Sequence, residues 1–171
     1  MRIDLNLLET GDLLLYSGNK GCFSEIIEYW TKSIYSHVAI ILKNPTYIDP
    51  KLVGLYILES SYEETGDAID NKKKFGVQIQ SLSNVFKECQ GKIFWRKLNC
   101  ERNSEFYLNI NNIYKEVQNK RYDINPIDWI KAAFHIDIGN IHKVNTFWCS
   151  ALVSYIYVKL GLLPKDIPWS L

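Results

Sequence analysis

Three residues far apart in the chain, His37, Glu59 and Cys149, are of the types that nucleophilic acyl chemistry needs. A cysteine attacks as its thiolate, so it requires a base and a place where the anion is favoured. Cys149 follows Asn145-Thr146-Phe147-Trp148 and opens the apolar stretch from Ser150 to Val153. The stretch reads as the first turns of a helix continuing through Tyr155, Ile156, Val158 and Leu160, with Asn145 or Thr146 as its cap. Gly161 suits the left-handed residue that follows a helix, and Pro164 bars a restart. Free N–H groups and the positive dipole end at such a start favour a thiolate. The competing reading is plain: a single cysteine among Phe, Trp and Leu is a small core hydrophobe. The other two residues bear on which reading holds.

His37 lies in Ser36–Leu42, a run of branched residues that reads as a strand buried on both faces. Alternation puts His37 with Ala39 and Ile41, and turns Val38, Ile40 and Leu42 the other way. Glu59 lies in the next strand, Leu55–Ser61, on a face with Leu55, Ile57 and Ser61. A buried carboxylate is costly unless paired, and neighbouring strands would let His37 and Glu59 pair across the ladder. A carboxylate on one ring nitrogen fixes the tautomer and leaves the other nitrogen to take a thiol proton. Their bland alternatives are a hydrogen-bonded core histidine and a surface glutamate on an edge strand.

Two residues are candidates for oxyanion or substrate contact. Tyr16 ends an early strand and could donate a hydroxyl, against the alternative of a buried aromatic. Asp12 follows a glycine turn, where a carboxylate ordinarily holds backbone N–H groups. The N–H of Cys149 itself is the better oxyanion donor, because a helix start leaves it free. His135 and His142 lack the spacing of two ligands on one helical turn, so no metal is expected, and no cofactor. Cys22, Cys89, Cys100 and Cys149 show no short paired spacing, which argues against a zinc ribbon or redox pair and fits reduced thiols in the cytoplasm.

The elements that must position these residues are legible in order. Leu13–Tyr16 reads as a first strand, and Phe23, Ile26, Ile27, Trp30 and Ile34 recur at helical spacing up to a helix end near Lys32-Ser33. After the His37 and Glu59 strands come a solvated Lys72-Lys73-Lys74 loop, a strand over Gly76–Gln80, a short helix over Ser83–Glu88 and a strand over Lys92–Leu98. Ser104–Lys120 presents Tyr107, Ile110, Tyr114 and Val117 on one face and starts at Ser104. Asn125-Pro126 caps a further helix with Ile127, Ile130, Ala133 and Phe134, before a loop over His135–Lys143. Strands gather in the first hundred residues and helices in the rest. The expected fold is α+β, one domain over residues 1–171, with helices packed on a mostly antiparallel sheet.

Composition excludes some functions. The 171 residues are 47% hydrophobic and 13% aromatic, and 20 basic side chains nearly balance 19 acidic ones. No field for nucleic acid follows. The longest apolar stretch, Phe147–Leu163, is shorter than the roughly 20 residues a membrane span needs, and the N-terminus lacks the apolar core of a signal peptide.

Three segments taken together, Gly11–Tyr16, Tyr35–Ile40 and Phe147–Val153, resemble the permuted NlpC-type papain-like family, in its YiiX and poxvirus branch. The resemblance spans Gly11 to about Leu163. In ordinary papain-like enzymes the cysteine precedes the histidine, whereas in this branch the order is histidine, acid, cysteine, as here. The resemblance implies a papain-like, circularly permuted fold with the nucleophile at a helix N-terminus. It assigns Cys149 as nucleophile, His37 as base and Glu59 as the residue orienting the base. Many relatives carry glutamate after Cys-Ser; here the position is Ala151, a change in packing or substrate contact.

The implied activity is a cysteine peptidase or amidase acting on a peptide, amide or acyl substrate, a protein among the possibilities. A lipid-directed acyltransferase or thioesterase is the alternative, since relatives of lecithin:retinol acyltransferase share the permuted fold. Those carry a second histidine in place of the acid. A non-catalytic binding or virion protein is the third reading. Richness in Ile, Asn and Lys is associated with AT-rich genomes, including those of large DNA viruses, for which the location would be the host cytoplasm or the virion.

Overall fold

The computed structural model describes residues 3–18, 34–62, 65–122 and 147–167. The helices expected from Phe23 and after Asn125-Pro126, the loop over His135–Lys143 and the caps at Asn145 or Thr146 lie outside the described residues, as do Cys22, His135 and His142.

A 3-10 turn, Leu5–Leu7, leads into β1 (Leu13–Ser17), β2 (His37–Lys43), β3 (Leu55–Tyr62) and β4 (Phe75–Ser81). Then follow α1 (Leu82–Glu88), β5 (Lys92–Arg96), α2 (Ser104–Val117) and α3 (Cys149–Lys159). The strands form one antiparallel sheet in the order β4-β3-β2-β1-β5. The protein is therefore α+β, with an antiparallel sheet carrying helices on both faces.

Register assigns each side chain to a face. Ile40 stands opposite Leu13 and Leu58, and Leu58 opposite Ile79. With Leu42 and Val77 they form one apolar face, covered by Phe106, Ile110, Ile113 and Val117 of α2 and by Ala151, Leu152 and Ile156 of α3. The opposite face carries Leu14, Tyr16, Ala39, Ile41 and Ile57, closed by Leu8 from the N-terminus and Leu82 from α1. Each fully buried aliphatic side chain contributes about 1.5–3 kcal/mol, so an apolar cluster holds the sheet from each side. α3 is buried along Ala151, Leu152, Val153, Tyr155 and Ile156, and Gly161 behind it takes φ 71°.

Some expectations shift by a residue or two for local reasons. α2 is capped by Asn103, whose side chain accepts from the Phe106 N–H at 3.0 Å. The helix itself begins at Ser104. Its buried face includes Phe106 and Ile113, while Tyr107 is half-buried. β5 stops at Arg96, because the Leu98 N–H leaves the ladder for the Asp12 carboxylate at 2.9 Å. In the Lys72–Lys74 loop, Lys74 is not free in solvent: it pairs with Asp67 at 3.1 Å and with Asp70 at 3.3 Å.

Asp12 is the largest correction. Its carboxylate is fully buried and accepts four kinds of donor: the Glu9 and Leu98 N–H groups, Trp95 Nε1 and the Arg102 guanidinium. It ties β1, β5 and the segment after β5 together. Pairing Tyr16 with His37 and Leu13 with Ile40 leaves Asp12 roughly 13 Å along the strand from the histidine, at about 3.3 Å per residue. Asp12 therefore has neither the place nor the donor for an oxyanion or substrate contact. Asp12→Ala should cost about 1–3 kcal/mol or more in urea unfolding, because it leaves the Trp95 Nε1 and Leu98 N–H donors without their acceptor. It should leave the pH profile of Cys149 alkylation where it was. A changed profile with little loss of stability would put Asp12 back in the site.

Candidate active site

His37 is the first residue of β2, and Glu59 sits in the middle of β3. Ile40 pairs with Leu58, so Glu59 stands opposite Ala39 and diagonal to His37 on the same face. His37 Nε2 and Glu59 Oε2 are 2.7 Å apart. Glu59 is 3% exposed and the imidazole 20%, so the contact runs from the protein interior outward. The Glu59 Oε1 atom is buried with no hydrogen-bond partner among the described residues. A charge-assisted bond to the ring is therefore what compensates this carboxylate for the water it has lost.

Cys149 is the first residue of α3, half-buried and reduced. The helix lies on the opposite sheet face, and its start comes up to the start of β2. The thiol is hydrogen-bonded to the His37 ring and to the N–H groups of Val38 and Ser150. Nε2 belongs to Glu59, which leaves Nδ1 as the ring nitrogen for sulfur. Burial pushes the Cys149 thiol up, but the imidazolium, its hydrogen bond and the two N–H groups together bring it below the ordinary 9.0. Burial likewise opposes the charge on His37. The thiolate, followed by the hydrogen bonds to Cys149 and Glu59, outweighs burial and holds His37 well above 6.5. The two titrations belong to one pair. Each charged form is favoured by the other: the imidazolium lowers the thiol, and the thiolate raises the imidazole.

Tyr16 stands opposite His37 in the ladder, its ring 5.1 Å from the imidazole and tilted by 59°. It is 4% exposed, so its ring packs the base from the buried side. The structure thus brings Cys149, His37, Glu59 and Tyr16 together and leaves Asp12 out.

Sequence reading did not single out Val38, Ser150, Ser60 or the glutamines of β4. Val38 and Ser150 act through backbone N–H groups, which carry no side-chain signature. Gln78 and Gln80 are buried beside Glu59 on its face. Gln78 Nε2 donates to Ser61 Oγ at 2.7 Å, and Gln80 Nε2 to the Thr65 carbonyl at 3.2 Å. A row of glutamines in an otherwise apolar sheet was the available signal.

The class defined by fold and site is an α+β protein with a thiol–imidazole–carboxylate set where a helix start meets a sheet. No protein-family model matches the chain, and no curated protein does. Among solved structures, it is similar to the crystal structure of metalloprotein YiiX from Escherichia coli O157:H7. The TM-score is 0.59 at 19% identity, over 90% of this chain and 67% of that one. At that identity the likeness is one of fold. Among the described residues no helix is long and apolar enough to cross a membrane.

Proposed function

We propose that this protein is a thiol-dependent hydrolase of the permuted papain-like type, cleaving an amide bond through an acyl-enzyme on Cys149. The observation that carries the reading is the continuous contact from Cys149 through the His37 ring to the buried Glu59 carboxylate. Cys149 Sγ adds to the substrate carbonyl carbon, and the carbonyl electron pair moves to oxygen. The free N–H groups at the start of α3 stabilise the oxyanion. Collapse restores the carbonyl and breaks the C–N bond, and the leaving amine takes the proton from the imidazolium. Water then attacks the thioester, giving a proton to His37, and the carboxylic acid leaves as the thiolate is restored. Glu59 holds the ring in place and stabilises its charged form throughout.

Similarity to a metalloprotein raises the question of a metal. Among the described residues no three His, Cys, Asp or Glu side chains are grouped to hold one, and His37 Nε2 is committed to Glu59. The described residues do not fit a metal site, and no step above runs through one.

The direct test is acylation with an activated p-nitrophenyl ester. Sγ should form a thioester and release nitrophenolate, and mass spectrometry should place the acyl group on the Cys149 peptide. Acylation of Cys89 or Cys100 instead, or of no cysteine in folded protein, sinks the reading. Running amide and lipid-ester substrates in parallel separates an amidase from a lipid-directed acyltransferase.

A further inference from the structure

Cys149 can serve His37 only if α3 begins in the right place, and among the described residues no side chain at the helix's own start caps it. The N-cap is Trp148, which makes no side-chain capping bond. An indole offers a donor and no acceptor for the free N–H groups. The residue before it is held from outside instead. The Phe147 N–H donates to the Arg121 carbonyl at 3.0 Å, and the Phe147 carbonyl accepts from Ser60 Oγ at 2.6 Å. Arg121 is in turn bridged to Gly76 of β4.

Ser60 is fully buried and directly follows Glu59. Alternation sends the two side chains to opposite faces of β3. Glu59 reaches His37 on one face, and Ser60 reaches the start of the Cys149 helix on the other. We propose that Ser60 is a positioning residue: its hydroxyl, bonded to the Phe147 carbonyl, sets where α3 begins and so where Cys149 stands relative to His37. Two adjacent residues of one strand then hold the base and the nucleophile in a common frame. Any movement of β3 carries both. This inference rests on the thiol-nucleophile reading of Cys149.

The test is the pH profile of Cys149 alkylation by iodoacetamide, with labelling located by mass spectrometry. In Ser60→Ala the midpoint should rise toward that of an ordinary thiol, and the rate at pH 6 should fall about ten- to a hundredfold, the scale of a sub-ångström to one-ångström misplacement. Ser60→Thr keeps the hydroxyl and should label close to wild type. Ile113→Val, which loosens the α2 core, should lower the melting temperature without moving the midpoint. A wild-type midpoint that is low and unchanged in Ser60→Ala overturns the proposal alone. So does a shift in Ile113→Val as large as that in Ser60→Ala, or loss of the low midpoint in folded Ser60→Thr. A wild-type Cys149 that titrates as an ordinary thiol overturns this proposal together with the nucleophile reading.

Discussion

Cys149→Ala should reduce acyl transfer by at least about 10⁴-fold, since removing a nucleophile removes the covalent route altogether. Binding of substrate should survive, because the alanine occupies the same helix start. Cys149→Ser should retain a trace of activity: a serine has no ready anion at neutral pH, and His37 must then act as a base from its neutral form. Glu59→Gln should lose less, about ten- to a thousandfold, because the amide keeps size and a hydrogen bond but stabilises the imidazolium poorly. The expected order is wild type, Glu59→Gln, Cys149→Ser, Cys149→Ala, with melting temperatures within about 5 °C of one another. Turnover of the activated ester together with thermal melts reads both quantities. A non-catalytic binding protein predicts that cellular function survives Cys149→Ala. Equal activity in Cys149→Ala and wild type rules out the acyl-enzyme.

Where the pattern along the chain was local, the sequence was informative. The branched runs at His37–Lys43 and Leu55–Tyr62 made strands at the expected positions, because burial on both faces leaves no other use for such runs. Consecutive antiparallel pairing then followed from chain order. Element ends were less legible. α2 starts at Ser104 as the pattern indicates, but that pattern did not name its cap, Asn103, whose side-chain oxygen reaches the Phe106 N–H. β5 is cut short by a carboxylate more than eighty residues away in sequence, which no window of local pattern contains.

The same division runs through the site. Side chains with titratable groups announced themselves, and period-two alternation placed His37 and Glu59 on matching faces. Groups that act through the backbone did not. The Val38 and Ser150 N–H groups that favour the thiolate look like any other amides in the sequence. Ser60 read as one of two serines ending a strand, and its importance rests on a contact 87 residues away. Asp12 was legible in part. A carboxylate after a glycine turn ordinarily holds backbone N–H groups, and it accepts those of Glu9 and Leu98, while the Trp95 and Arg102 donors come from segments that no local pattern contains.

His37→Ala should abolish the acid-side reactivity of Cys149, and the pH dependence fixes the sign. Burial opposes both charges, yet wild-type Cys149 is held below the ordinary 9.0 and His37 well above 6.5, each by the charged form of the other. The attraction is lost as pH falls and the thiolate takes up a proton, and lost again as pH rises and the imidazolium gives its proton up. The stability of wild type minus that of Cys149→Ala should therefore pass through a maximum and decline toward both acid and alkaline pH. Iodoacetamide reads the thiolate alone, so wild-type labelling should begin at lower pH than that of His37→Ala. At pH 6 an ordinary thiol of pKa about 8.5 is ionised roughly three parts in a thousand, so wild type should label about ten- to a hundredfold faster than His37→Ala, and the two should converge above pH 9. Equal labelling at pH 6, or faster labelling of Cys89 or Cys100 in the folded protein, would show that the helix start and the histidine do not act on Cys149 together.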